Sequence, residues 1–343
     1  MKKIIWITLT ILVLFAAFSA WKIFGPAAHS PAGKFFYIRT GSTYNDVTND
    51  LVKDSILSRK KWFDFVSKRL SYKIIKPGKY EIKKGMSLFN LVRMLKNGRQ
   101  TPVDFTIIKF RTKEDFARKA GREFETDSLQ MISFLNNSDS LKRYQLDTNN
   151  WACAVIPNTY TYFWNSSPTR IFSKLHESSE KFWTPGKKQK AADLGLSPCE
   201  VYALASIIEE ETNSKSDKGN MASVYLNRLH SNMPLGADPA IKFAMKQFGL
   251  KRIYDNYLLY PSPYNTYRNK GLPPGPICTP SVETIEEVLN SPKTGYFYFV
   301  AKSDFSGAHI FTTNYEEHKK YAKLFAEAQD KQDSIRKAKQ TSK

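Results

Sequence analysis

Cysteine is scarce in this chain, with three in 343 residues: Cys153, Cys199 and Cys278. They lie far apart, which excludes a CxxC redox pair and any cysteine-built metal centre of close ligand spacing. One disulfide with an odd thiol and three unpaired thiols are both compatible with that count. Negative charge is also short. Asp and Glu number 32 against 52 Lys and Arg, a net charge of +20. Such a surface favours polyanions, and nucleic acid, anionic phospholipid and acidic cell-wall polymers all qualify; it is equally the ordinary surface of an extracytoplasmic protein. Metal-ligand patterns are missing too. His309 and His318 fall on one segment, but their spacing matches no known ligand set, so neither metal nor cofactor is expected.

What is present begins at the N-terminus. Residues are 41% hydrophobic and 14% aromatic, enough for two or three packed domains. The run Ile4–Trp21 carries no charge and is near the lower limit for crossing a bilayer. Lys2 and Lys3 before it, with Lys22 alone just after, place the N-terminus in the cytoplasm. Phe18-Ser19-Ala20 resembles a signal cleavage site, but the run is longer than a usual signal core, so an uncleaved single-pass anchor over residues 1–24 is expected. In both cases the rest of the chain is exported, which argues against nucleic acid as a partner. Gly25–Lys34 reads as a Pro/Gly/Ala-rich linker.

Residues 35–122 repeat a short pattern. FFYIRTGSTYNDVTNDLVKDSIL and KYEIKKGMSLFNLVRMLKNGR each run strand, glycine turn, amphipathic helix, with Val47 and Leu51 in one and Leu88, Leu91, Val92 and Leu95 in the other at helical spacing. A fainter third copy starts at Phe105. These units resemble LysM-type glycan-binding modules; a plain spacer domain has the same pattern. Farther on, WACAVIPNTYTYFW, Trp151–Trp164, concentrates aromatics that either line a sugar site or fill a core. From Tyr315 the sequence reads as a charged helix, and residues 326–343 as a solvated, fraying tail.

The stretch LASIIEEETNS sets three glutamates directly after an apolar run. Ser197, Pro198 and Glu200 form a strong helix start with a capping box. At about 100° per residue, Val201, Leu204, Ala205 and Ile208 share a face and Glu211 continues it. Glu210 then points to solvent and Glu209 lies at the border. A carboxyl in an apolar wall is raised in pKa, and the like charges of Glu209 and Glu210 push the same way, as a general acid requires. The competing reading is a frayed last turn with all three acids wet, although three acids sit badly at the negative end of a helix dipole. Asp217 opens a second helix, Lys218–Ser231, with Met221, Val224, Tyr225 and Leu229 on its apolar face. The proline-rich segment YPSPYNTYRNKGLPPGPICTPS is a long rigid loop, the kind that lines sites. Thr294–Lys302 reads as a strand.

ASIIEEET, ASVYLNRL, the Ala237–Pro239 ADP, YNTY, GLPPGPI, YFYFVA and HIFTTNYEEH, in this order, resemble the MltG (YceG-like) endolytic murein transglycosylase family. The match is dense over Glu200–His318 and looser upstream. The resemblance implies an α+β architecture: membrane helix, LysM-like module, and a catalytic domain over 123–325. It implies non-hydrolytic cleavage between MurNAc and GlcNAc of peptidoglycan strands, leaving 1,6-anhydro-MurNAc ends. It puts the catalytic acid at Glu211, in agreement with the helical-face argument. Two departures stand out: the middle acid, usually basic in relatives, is Glu210, and the family's P-[DE]-T-Y segment reads Pro157-Asn158-Thr159-Tyr160, so Asn158 supplies no charge. Asn227, Asp238, Tyr264 and Asn265 are candidate hydrogen-bond partners for the sugar or for Glu211, or else turn and capping residues. Peptidoglycan, the membrane and the wall-synthesis machinery are the expected partners. Two rivals remain: a non-enzymatic wall-binding scaffold, and a hydrolase using Glu211 with Asp238.

Overall fold

The computed structural model describes residues 1–250 and 252–341, as two compact units. The first comprises residues 1–105, 119–128 and 160–167; the second holds 106–118, 129–159 and the chain from Pro168 onward. A helix, Lys113–Glu123, runs through the boundary expected at residue 122.

In the first unit the apolar helix Lys2–Phe24 has no buried residue and is long enough to cross a bilayer. The two sequence repeats become two arms of one fold. Strands Phe35–Ile38 and Gly78–Glu81 pair antiparallel, Phe35 opposite Glu81 and Ile38 opposite Gly78. Each strand leads to a glycine in the left-handed region, Gly41 and Gly85, and two residues later to a helix N-cap, Thr43 or Ser87. The helices Tyr44–Lys53, Lys61–Arg69 and Leu88–Asn97 bury Val47, Leu51, Phe63, Leu91, Val92 and Leu95 against Phe36, Tyr80 and Ile82. The third copy departs from this plan. Its strand, Val103–Thr106, pairs with Thr159–Tyr162 in a separate sheet. The stretch read as a linker is fastened down: Ala28 is buried, its N–H donates to Met86 O (2.9 Å), its carbonyl accepts from Gly85 N (2.8 Å), and His29 N donates to Ile56 O (2.9 Å).

In the second unit the helix Pro198–Glu211 is the central element. It starts as the sequence predicts, with Ser197 and Glu200 in a capping box. Helices Lys215–His230, Asp238–Ala244, Val282–Leu289 and Pro185–Asp193 and the 3-10 turn Trp151–Ala154 pack on it. Val201 to Ile208 are therefore all buried, not one face alone. A helix apolar all round belongs inside a core, and this one is enclosed. The strand expected over Thr294–Lys302 is shorter, Tyr298–Ala301, and pairs antiparallel with His309–Thr312. The charged tail is helical, Tyr315–Thr341; its last residues, 342–343, lie outside the described residues.

The aromatic knot is mostly core. Trp151, Tyr160 and Tyr162 are buried; Trp151 packs on Phe116, and Tyr162 on Phe105 and Phe124. Cysteine usage resolves into one disulfide, Cys153–Cys199 (Cα–Cα 5.5 Å), and one buried thiol, Cys278. The bridge ties the first turn of the central helix to the 3-10 turn across 46 residues of chain. Closing a loop of that size restricts the unfolded chain and is worth about 2–4 kcal/mol. Replacing both cysteines by serine is expected to lower the guanidinium midpoint by that equivalent relative to the oxidised parent; an unchanged midpoint would show that the bridge carries no stability.

Candidate functional site

The central helix ends in its three glutamates, and none of them hangs free. Glu210, expected in solvent, has a side chain only 14% exposed. Arg111 grips it through Nε (3.1 Å to each carboxylate oxygen) and Nη2 (2.8 Å), and Lys109 Nζ lies 3.0 Å away. The expectation fails because it assumed one apolar face with solvent opposite, whereas the segment Lys109–Arg111 covers that side. Glu209 accepts from Ser281 Oγ (2.9 Å) and from the Thr284 hydroxyl, with Lys218 Nζ at 3.6 Å. Burial alone would raise Glu209, yet the Thr284 and Ser281 hydroxyls with Lys218 and Lys109 hold it below its ordinary value. These cations and hydroxyls supply what the helix dipole withholds at this end. A frayed, wet last turn is not what forms.

Glu211 has a different setting. It is half-buried, and its Oε1 accepts from Tyr225 Oη at 2.8 Å. Burial pushes its carboxyl from 4.5 up to about 7; the charge of Asp238 adds to that push, while the Tyr225 hydrogen bond, Lys242 and Arg228 pull against it. The like charge that matters is thus Asp238, not Glu209 or Glu210, whose charges are already matched. Tyr225 is raised well above its ordinary value, chiefly by burial and then by Glu211, so its phenol keeps its proton and donates.

Tyr225 sits on the helix Lys215–His230. That helix is fixed at its start by Asp217, whose Oδ2 accepts from His309 N (2.9 Å) and lies 3.0 Å from His309 Nδ1. Asp217 is therefore inside the first turn, with Ser214 at the cap. Farther along the helix, Asn227 Nδ2 donates to Thr294 O (2.9 Å) and Tyr296 O (2.8 Å), and Arg228 Nε donates to Phe297 O (2.8 Å). The Asn227 amide nitrogen is thus spent on backbone.

Asp238 opens the short helix Asp238–Ala244 and accepts from Tyr267 Oη at 2.6 Å. The proline-rich loop holds it there: Thr266 Oγ1 accepts from Ala237 N (2.9 Å), and Gly236 N donates to Thr266 O (3.0 Å). Asn265 organises this loop from within. It is fully buried, its Nδ2 donates to Leu258 O (2.9 Å) and Tyr260 O (2.8 Å), and its Oδ1 accepts from Tyr267 N (3.0 Å). Tyr264 packs at a tilt against Phe243 (centroids 4.8 Å, planes 49° apart) beside a cleft of about 320 Å³ that Phe110, Lys113 and Trp151 also line. The loop is laced to the central helix as well: Ile277 N donates to Ser206 Oγ (3.0 Å), and Gly275 passes so close to Asn149 that a Cβ would lie 2.2 Å from its carbonyl oxygen. A second cavity, about 610 Å³, lies at the other end of the central helix, lined by Leu194, Glu200 and Pro273 but by none of the residues around Glu211.

The sequence-predicted residues thus divide by environment. Glu211 and Asp238 fall in one electrostatic cluster with Tyr225, Tyr267 and Arg228. Tyr264 faces a cleft, and Asn227 and Asn265 brace backbone. Asn158 closes its own turn by accepting from Thr159 N at 2.7 Å. Sequence reasoning missed Tyr225 and Tyr267 as site residues, reading Tyr225 as apolar face. The available signal was that a tyrosine on a buried face needs a partner for its hydroxyl. Among the described residues no cluster of His, Cys, Asp and Glu suits a metal ion.

The sequence profile of the YceG-like family matches residues 36–324. The chain is 28% identical over 305 residues to the endolytic murein transglycosylase of Bacillus subtilis (strain 168), covering 82% of each. It is 27% identical over 318 residues to that of Streptococcus pneumoniae serotype 2, covering 82% of this chain but 56% of the relative, and so spans only about half of that protein. The crystal structure of a putative yceG-like protein from Listeria monocytogenes shares the fold, with a TM-score of 0.55 and 24% identity over 83% of this chain and 98% of that one.

Two outcomes follow from the Glu211 environment. The Tyr225 hydrogen bond favours the charged carboxylate, so Tyr225→Phe raises the Glu211 pKa, and the alkaline limb of the pH–rate profile is expected to move up by roughly one unit; a limb that stays put or moves down would contradict this. A carboxyl raised from 4.5 to about 7 on folding stabilises the protein below pH 4.5, and that contribution is lost as pH rises through 7. Glu211→Gln, which never ionises, is therefore expected to be more stable than the parent at pH 8, by up to about 3 kcal/mol in denaturant titration, with the gain fading toward pH 4.5.

Proposed function

Because the chain belongs to the YceG-like family, we propose that it is an endolytic lytic transglycosylase cleaving peptidoglycan glycan strands between MurNAc and GlcNAc, with Glu211 as its acid and then its base. The observation that carries the reading is the Glu211 carboxyl, half-buried, held by a protonated phenol and pushed up to about 7. Such a group still holds a proton near neutral pH and can both give and take it.

Glu211 protonates the glycosidic oxygen as the bond to C1 of MurNAc breaks and positive charge develops at C1. The resulting carboxylate takes the proton of the sugar's own 6-hydroxyl, and O6 closes on C1. One carboxyl then suffices where hydrolases use two, because the intramolecular hydroxyl replaces an activated water and acts at high effective concentration. Tyr225 keeps the carboxyl oriented and steadies its charged form. Asp238, tied to Tyr267, adds its charge to the burial that keeps Glu211 protonated, and its carboxylate offers an acceptor to a sugar hydroxyl. Tyr264 and Phe243 offer ring faces for sugar stacking at the cleft. The region read as LysM-like, residues 35–122, would add a second grip on the strand through its two strand–turn–helix arms. The helix Lys2–Phe24 would anchor the enzyme to the cell membrane with its bulk outside the cytoplasm, where peptidoglycan lies.

The test is mass spectrometry of muropeptides released from purified peptidoglycan by the protein and by Glu211→Gln. Anhydro-ended products from the parent, falling about 10²–10⁴-fold in the variant, are expected. Products with ordinary reducing ends would replace this reading with the two-carboxylate hydrolase, and binding without cleavage would replace it with a scaffold.

A further inference from the structure

The end of the apolar helix Lys2–Phe24 does not leave its unit as a bare stalk. The helix packs against Leu88–Asn97 and Lys61–Arg69. Phe18 meets Trp62 edge-on (centroids 6.2 Å), Trp62 meets Phe65 (6.0 Å), and Phe24 meets Phe89 (5.2 Å). Several of these rings stay open to solvent, with Trp21 58%, Phe24 62% and Phe65 44% exposed.

Phe18, Trp21, Phe65 and Phe89 each also carry a cation. Lys22 Nζ lies 5.0 Å from the Trp21 ring and 5.5 Å from that of Phe18, the Arg69 guanidinium lies 5.4 Å from Phe65, and that of Arg93 lies 5.5 Å from Phe89. Arg93 further shares with Lys83, Lys84 and Arg99 the lining of a cleft of about 590 Å³, in which Glu81 is the one acidic lining residue. That cleft includes Gly85 and Met86, which bond Ala28 just beyond the helix end.

Length decides where these rings sit. The uncharged run Ile4–Trp21 rises about 27 Å at 1.5 Å per residue, against a hydrocarbon core of about 30 Å. A bilayer crossing therefore uses the whole run, Phe18 and Trp21 included. Whatever touches Phe18 and Phe24 then lies within the headgroup layer, the depth that Trp and other amphipathic rings favour, with basic groups at the phosphates.

We propose that Trp62, Phe65 and Phe89, with Arg69 and Arg93, form a collar round the helix end that docks on an anionic phospholipid surface, the rings entering the headgroup layer and the guanidinium groups pairing with lipid phosphates. This rests on the Lys2–Phe24 helix crossing the bilayer, and the experiment separates the two claims.

The full chain is labelled with an environment-sensitive fluorophore at Phe65→Cys, Val13→Cys or Asp50→Cys; the native cysteines are bridged or buried and stay unlabelled. Each form is reconstituted in nanodiscs of phosphatidylcholine with and without phosphatidylglycerol, carrying nitroxide lipids at headgroup or acyl depth. Acyl-depth quenching at Val13 reports the span; its absence would overturn span and collar together. Headgroup-depth quenching at Phe65, several-fold above that at the exposed Asp50 position and stronger with phosphatidylglycerol, is the expected result. Quenching at Val13 with none at Phe65 would overturn the collar alone. Arg69→Gln with Arg93→Gln is expected to bring the Phe65 signal in phosphatidylglycerol down to its phosphatidylcholine level; a signal indifferent to both lipid charge and this variant would overturn the pairing with anionic lipid.

Discussion

The second unit depends on enclosing one helix that is apolar all round and acidic at its end. Burial of Val201 to Ile208 draws Pro198–Glu211 into the core, and its last turn follows whether or not its charges favour it. Carboxylates cannot enter such surroundings unmatched. The neighbouring segments therefore answer them one by one: Arg111 and Lys109 for Glu210, Lys218 with two hydroxyls for Glu209, and a lone phenol for Glu211. Among the described residues Glu211 has no cation in direct contact, and burial pushes its carboxyl up to about 7.

Adjacent residues of identical chemistry are thus sorted by their partners. Glu209 and Glu211 are separated by a single residue, yet one is held below its ordinary value and the other is raised to about 7. That separation divides a carboxylate held as a charge from one that still carries a proton near neutrality. The charge of the middle acid, Glu210, is absorbed by Arg111 and Lys109.

Local signals in the sequence translated well. The capping box of Ser197 and Glu200, the two strand–turn–helix arms with Gly41 and Gly85, and the apolar N-terminal helix all follow from short-range chemistry. The half-buried placement of Glu211 was also legible, although the single-face geometry behind it was too simple. The pairing of Arg111 with Glu210, the Tyr225 bond to Glu211 and the bracing roles of Asn227 and Asn265 were not. Each joins a side chain to a partner that chain folding, not spacing, brings near. The third apparent repeat failed for the same reason: its strand had a local pattern but found a different partner, Thr159–Tyr162.

The fastened joint after the N-terminal helix alters what anchoring would mean if that helix, long and apolar enough to do so, crosses a bilayer. A slack tether restricts only distance, leaving the attached body free to tumble and to sweep a hemisphere of wall. With Ala28 and His29 bonded into the fold, the first unit turns only when its helix turns. In a bilayer, rotational freedom about two axes would be surrendered, and the tilt of a single helix would become the aiming angle of everything rigidly attached to it.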